Sequence, residues 1–406
     1  MDNSPKAHWH KIAAAVLMLT VLIGASGFSL WFTYDSVLGT LAAYDPLKSW
    51  RTPSSLREEM ESAIRYQLPY RLEIRDIYSI GLVAQGKREI GTFFIVKDND
   101  GYLLRTNLYQ EIDPNIEEYA RRLGKLRQAA ALKGTQVLFV GTTGKFVPGT
   151  TKMPEGYLPD HSSLRNLDEL FLDLLAYHVS NLDLRESFKT APLDYTDYYY
   201  RTDSRWTARA AQFAAGSVAD AAKDKLGVEL DSDGFYSDLA NYEAYIYPQI
   251  LLGDYGHSAG MPFSGLDDFV AVVPAFETDL TLEISSQNIL RRGPFSQSVL
   301  NMDYLNVGDP RYDNPSKTYF GGGVTRVHIV NHRNPDGEKV LLLCDSTFLT
   351  TAAYLALMCG EVDARVVASN DAASMEKLVA SGEYSLVVVA CEAQSIGADM
   401  FPFFKR

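Results

Sequence analysis

The chain has 406 residues, a formal charge of −13 and three cysteines. It has no cluster of lysine or arginine, and a nucleic-acid partner needs a basic stripe to displace counterions, so nucleic acid is excluded. Cys344, Cys359 and Cys391 fit neither zinc-ligand nor disulfide-framework spacing. Two of them end the apolar runs VLLLC and LVVVAC, which reads as small hydrophobes at strand ends.

The run from Ile12 to Phe32 contains no charged residue. At ~1.5 Å per helical residue it reaches about 30 Å, one hydrocarbon thickness. Lys6 and Lys11 precede it, while Asp35 and Asp45 follow before any lysine or arginine, so the N-terminus is expected inside and the rest outside the cytoplasm. A cleaved signal peptide is the competing reading, because Ala25 and Gly27 are small residues near the far end of the run; signal h-regions are shorter, roughly 7 to 15 residues. The expected organisation is a cytoplasmic tail and single-pass anchor over 1–34, a juxtamembrane stalk and helix over 35–68, and an extracytoplasmic α/β domain over 69–406.

Within the stalk region, Pro53-Ser54-Ser55 followed by Glu58 and Glu59 predicts a capped helix through about Tyr66. Strands are predicted near Thr92 to Val96 and Gly101 to Leu104, joined by a turn over Lys97 to Asp100. Asp113-Pro114 opens a helix to about Lys133, where Gly134 stops it before the buried strand Gln136 to Gly141. A helix over Asn166 to Tyr177, a strand over Val179 to Leu184 and a helix from Trp206 to Lys225, ended by Gly227, repeat the α/β pattern. The stretch at about 230–306, with Phe269 to Val273 as its clearest strand, reads as a β-rich insertion. The α/β pattern resumes with strands Lys339 to Cys344, Asp363 to Ala368 and Ser385 to Ala390, separated by helices Leu349 to Met358 and Ala372 to Ala380.

Ligands in such sheets collect beyond the carboxyl ends of the strands, where Asp345-Ser346 sits between an apolar run and a helix. A serine at that turn suits a nucleophile, its hydroxyl near a helix N-terminus that favours a developing anion. The same residues also serve as ordinary helix caps.

The segment Tyr200-Arg-Thr-Asp-Ser-Arg-Trp-Thr207 resembles the T-D-x-H-W-T block of the DHHW protein family, which is similar to SGNH-hydrolase-like alginate-acetylation proteins. Leu252 to Gly256, Gly265 to Phe269, Phe320 to Gly323, Cys344-Asp-Ser346 and Val362 to Arg365 follow in the order that family has, so the resemblance covers roughly 60–400. It implies an SGNH-hydrolase-like α/β fold, and the expected architecture is a doubly wound parallel sheet with a β-rich insertion, preceded by the one N-terminal transmembrane helix read from the apolar run. It also implies a serine nucleophile at Ser346 and an Asp-x-His pair in which the histidine takes the serine proton. The positions matching that pair are Asp203 and Arg205. A guanidinium with pKa above ~12 has no lone pair to accept a proton, so Arg205 is no general base. Asp203 and Arg205 read as a paired, structural couple, with the grip of an anionic ligand as the alternative.

The family's F-x-G-N element, whose asparagine helps hold the oxyanion, here reads Phe320-Gly-Gly-Gly, so Gly322 and Gly323 mark the oxyanion region without a side-chain donor. Thr347 and Leu349 also depart from the family pattern. Tyr200, Trp206 and the loop residue His257 are the candidate substrate contacts, and the run Tyr195 to Tyr200 is read as either sugar-stacking or packing. No His/Cys/carboxylate spacing forms a ligand set, so neither a metal nor an organic cofactor is implied.

The expected function is that of a tethered, catalytically impaired relative of the O-acetylation machinery of cell-surface polysaccharide. Its partners would be a glycan and a membrane-bound O-acyltransferase. The alternative is an active O-acyltransferase or acetylesterase in which Ser346 uses another base.

Overall fold

The computed structural model describes residues 5–42, 57, 70–91, 94–106, 111–157 and 161–405. Backbone contacts divide the chain into two compact units, Met1–Tyr78 and Ser79–Arg406.

In the first unit a helix spans Pro5–Ala42. Its portion Ile12–Asp35 has a mean hydropathy of 2.1, long and apolar enough to cross a membrane or to serve as a signal sequence. Leu17, Leu19, Ile23 and Trp31 are exposed along it. The helix runs on past Asp35 to Ala42, through residues expected to begin the stalk. The helix expected from Pro53 to Tyr66 lies outside the described residues, apart from Arg57.

The second unit is built on a sheet of eight strands. In chain order the strands of the unit are β1 Glu89–Ile90, β2 Ile95–Lys97, β3 Leu103–Arg105, β4 Gln136–Thr142, β5 Ser180–Asp183, β6 Tyr242–Leu251, β7 Asp267–Pro274, β8 Leu280–Ile284, β9 Ile289–Gly293, β10 Arg326–Asn331, β11 Lys339–Cys344, β12 Glu361–Val366 and β13 Leu386–Glu392. The large sheet has the order β5-β4-β13-β11-β12-β10-β8-β9. Its first five members are parallel, and their near-continuous apolar sequences are what burial on both faces demands.

Side-chain alternation sorts the two faces. Leu341, Leu343, Val387 and Val389 pack in one layer with Leu123, Leu126, Leu170 and Leu174 from the helices Ile116–Ala131 and His161–Ala176. Val340, Leu342 and Val388 pack in the other with the helices Ala208–Leu226 and Thr351–Met358. The Ala208–Leu226 helix is bounded by Thr207, whose hydroxyl accepts from the Ala210 N–H, and by Gly227 at φ 69°, the left-handed stop its sequence announces.

Two expectations are corrected. The sheet is mixed, because β10, β8 and β9 extend the parallel part in antiparallel fashion. The stretch at 230–306 is also not one insertion: β6 and β7 form a separate two-stranded ribbon, while β8 and β9 join the large sheet. The cause is β10, an alternating strand with Val327, Ile329 and Asn331 buried, which returns antiparallel to β12 and offers its free edge to β8. The predicted hairpin is present as β2 and β3, its turn held by the Asp98 carboxylate, which accepts from the N–H groups of Asp100 and Tyr102.

Candidate functional site

Strands β4, β13, β11 and β12 end on the same edge of the sheet, and Ser346 lies two residues beyond β11, exposed at the turn. The capping role that competed for this serine belongs to Asp345. Its buried carboxylate accepts from the N–H groups of Thr347 at 3.0 Å, Phe348 at 3.2 Å and, across the strands, Glu392 at 2.8 Å. A short helical turn over Phe348–Thr350 then leads into the Thr351–Met358 helix.

The block carrying Asp203 and Arg205 lies between Tyr199 and Trp206, which form an isolated bridge. Asp203 is 1% exposed and accepts from Arg205 three times: from its backbone N–H at 3.0 Å, from Nε at 2.9 Å and from Nη2 at 3.0 Å. The Ser316 hydroxyl adds a fourth hydrogen bond at 3.3 Å. Burial pushes the Asp203 carboxyl up, but the adjacent guanidinium charge and these hydrogen bonds outweigh it and hold the group below its ordinary value. The Asp203 charge in turn raises Arg205, so the pair is an ion pair at every relevant pH.

The block is fastened to its surroundings by further groups, buried Asp267 and Lys145 and exposed Asp254. Asp267 accepts from the backbone N–H and the hydroxyl of Thr202, both at 2.7 Å, and Asp254 accepts from the N–H and hydroxyl of Ser204. Lys145, just beyond β4, is buried and donates from Nζ to the carbonyls of Arg201 and Asp203, each at 2.8 Å. Burial pushes its amine down to about 8, against the opposing pull of Asp267, Asp203 and Asp254.

Gly253 supports Asp203 from below. A Cβ there would sit 2.4 Å from the Asp203 backbone, so Gly253→Ala should lower stability by about 3 kcal/mol, read as an earlier denaturant midpoint. An unchanged midpoint would mean that the close approach is not rigid.

Trp206 joins this block to the serine turn, its ring 4.5 Å from that of Phe348. Trp206 is 4% exposed, packs also against Phe188 and lines the small cavity beside Arg205. Asp203, Arg205, Ser316, Tyr319 and Thr350 line a cavity of about 30 Å³, room for little more than water. Tyr200 lines it too and stacks on Phe269 at 6.2 Å. Gly322 and Gly323 follow Phe320 in a run of left-handed residues, φ 72° and 62°, just before β10, whose first residue pairs with Arg365 near the end of β12. They therefore lie on the same sheet edge as Ser346.

The histidines are dispersed. His328 in β10 is 3.0 Å from Glu361, and His332 is 2.7 Å from the Thr281 hydroxyl. Asn331 in β10 ends level with the start of β12, which puts His332 at the opposite edge of the sheet from Ser346. His161 lies edge-on to Phe146. His257 is in the short helix Asp254–Ala259, beside the Asp203 block.

Lys145 and Glu392 were not singled out in the sequence. Lys145 follows β4 and Glu392 is the last residue of β13, so both lie at the carboxyl ends of apolar strands, which is the signal that pointed to Ser346. The Glu392 carboxyl is pushed well up by burial and by Asp345, and its buried Oε2 has no hydrogen-bond partner among the described residues.

A family model described as the SGNH hydrolase-like domain of acetyltransferase AlgX matches residues 95–244, which include the Asp203 block and end before Ser346. Structures of PatB1 from Bacillus cereus align with TM-scores of 0.59 and, for its sulfonyl adduct, 0.58; each is 16% identical. The first alignment covers 76% of this chain and 99% of that one, the second 77% and 97%. A DHHW family protein from Eubacterium siraeum aligns with a TM-score of 0.56 at 18% identity, over 77% of this chain and 96% of that one. The fold is SGNH hydrolase-like. No curated protein sequence matches the chain. The resemblance read from the Tyr200 to Thr207 block is thus met by the AlgX-type model and by a DHHW family structure, and the SGNH-like unit carries its candidate serine on the turn after β11.

Proposed function

We propose that this chain is a membrane-anchored, extracytoplasmic member of the machinery that O-acetylates cell-surface polysaccharide, and that its own serine chemistry is lost or strongly impaired. The observation that carries the reading is the Asp203–Arg205 ion pair, a permanently charged group at the position to which the resemblance assigns the base histidine. Gly323 adds to it by leaving the oxyanion region without a side-chain donor. The helix over Pro5–Ala42 supports the anchor, with the domain facing exported acyl groups beside a membrane-bound O-acyltransferase.

Full-length protein in detergent should show negligible hydrolysis of a chromogenic acetyl ester, and Ser346→Ala should leave both that rate and the cellular phenotype unchanged. Turnover that disappears in Ser346→Ala would sink the proposal.

One observation favours a second reading, an active serine acyltransferase or esterase. Ser346 is exposed, and Glu392, with its carboxyl pushed well up, ends the neighbouring strand. A fluorophosphonate adduct on Ser346 that is lost in Glu392→Gln would establish it.

A further inference from the structure

We propose that the cleft between the β2–β3 hairpin, the Tyr195 to Arg201 segment and the β6–β7 ribbon is the glycan-binding groove, and that it takes amino-sugar oligosaccharides with free amines rather than polyuronates. The proposal rests on the glycan-directed reading above and adds the site and the charge class of its ligand.

The cleft has a volume of about 910 Å³, at the upper end for small-molecule sites, whereas the space beside Arg205 is about 30 Å³. Only the former admits a sugar chain. Half-buried Tyr195 lies on its wall, backed by the buried rings of Tyr102, Tyr199 and Tyr200, with the Tyr102 and Tyr195 rings 4.8 Å apart, and its rim is polar. One accessible aromatic ring beside hydroxyl and carboxylate acceptors suits a pyranose. Tyr200 lines both spaces, so a bound chain lies against the segment that carries Asp203.

The charge of the cleft decides the ligand class. Lys152 and Arg201 are its cations, and each is already paired, with Asp100 at 3.1 Å and Asp267 at 3.1 Å. Asp194 and Asp268 remain, both exposed. Asp268 is held low by two hydrogen bonds from Gln249, at its backbone N–H and at Nε2, and so stays anionic. The groove therefore has a surplus of negative charge on a chain of net charge −13. An ammonium gains beside either carboxylate, and a uronate is repelled.

The test is titration calorimetry of full-length protein in uncharged detergent at pH 6 and low salt, with tetraglucosamine, its fully N-acetylated counterpart and tetramannuronate. Tetraglucosamine should bind at least about 10-fold more tightly than the acetylated oligomer, and tetramannuronate should not bind. Asp194→Asn combined with Asp268→Asn should weaken tetraglucosamine binding at least about 10-fold, and Thr150→Trp, which fills the cleft, should abolish it. Glu277→Gln combined with Asp233→Asn, exposed acids outside the cleft, should leave it unchanged.

Equal or tighter binding of either of the other oligomers overturns the charge assignment. Undiminished binding in the cleft variants, or an equal loss in the control variant, overturns the site. Failure of the impaired-enzyme reading would appear instead as Ser346-dependent ester hydrolysis, which this titration does not measure.

Discussion

Arg205→His together with Gly323→Asn should raise the hydrolysis of a chromogenic acetyl ester by the full-length protein about 100-fold or more over wild type. A positioned general base contributes roughly 10²–10⁴-fold, and a single oxyanion donor roughly 10²–10³-fold. Both substitutions fit the backbone. Asn is among the residues that tolerate φ near 62°, and no atom lies within 4 Å of a Cβ at Gly323. Asp203 keeps its acceptor geometry without the guanidinium, because the backbone N–H at position 205 and the Ser316 hydroxyl still hold it. An imidazole at 205 would then be oriented by that carboxylate, as in a serine–histidine–aspartate arrangement. Adding Ser346→Ala to the double variant should return the rate to the wild-type level. A folded double variant with no Ser346-dependent gain would show that the loss of the base is not what silences the turn.

The same residues show how much was legible in the sequence. Strands β4, β11 and β13 could be read within two residues because a parallel strand buried on both faces is a short apolar run, and no helix of that length competes. The turn after β11 followed from the same rule. Strand β10 was missed because its buried Val327 and Ile329 alternate with Arg326, His328 and Val330 in a segment with no turn signal at its start beyond the glycines. That omission turned β8 and β9 into an insertion. The burial of Trp206 was not legible because sequence spacing does not reveal that Phe348, far along the chain, packs edge-on against it. The Asp203–Arg205 pair was legible because its two residues are close in sequence. The carbonyl contacts of Lys145 connect parts of the chain more than fifty residues apart, and sequence periodicity has no access to them.

Lys145→Met should cost about 3–5 kcal/mol of stability at neutral pH, seen as a lowered thermal midpoint by circular dichroism. The ammonium is expensive to bury, which is why its pKa falls, yet its removal does more harm than its burial. Two carbonyls, of Arg201 and Asp203, would lose their donor, and the carboxylates of Asp267, Asp203, Asp254 and Asp98 would lose the buried cation they face. The pH dependence separates this account from a simple packing defect. The folded-state pKa of about 8 lies below the unfolded value of ~10.4, so in that window the unfolded chain binds more protons and the lysine makes wild-type stability rise with pH. Buried tyrosines with raised pKa values act in the opposite sense above ~10, but they are common to both proteins and cancel in the difference. The stability gap between wild type and Lys145→Met should therefore widen by about 1 kcal/mol per pH unit between pH 8 and 10. A gap that stays flat across that range would mean the amine is not titrating in the folded state, and that Asp203 is held in place by the Arg205 pair without it.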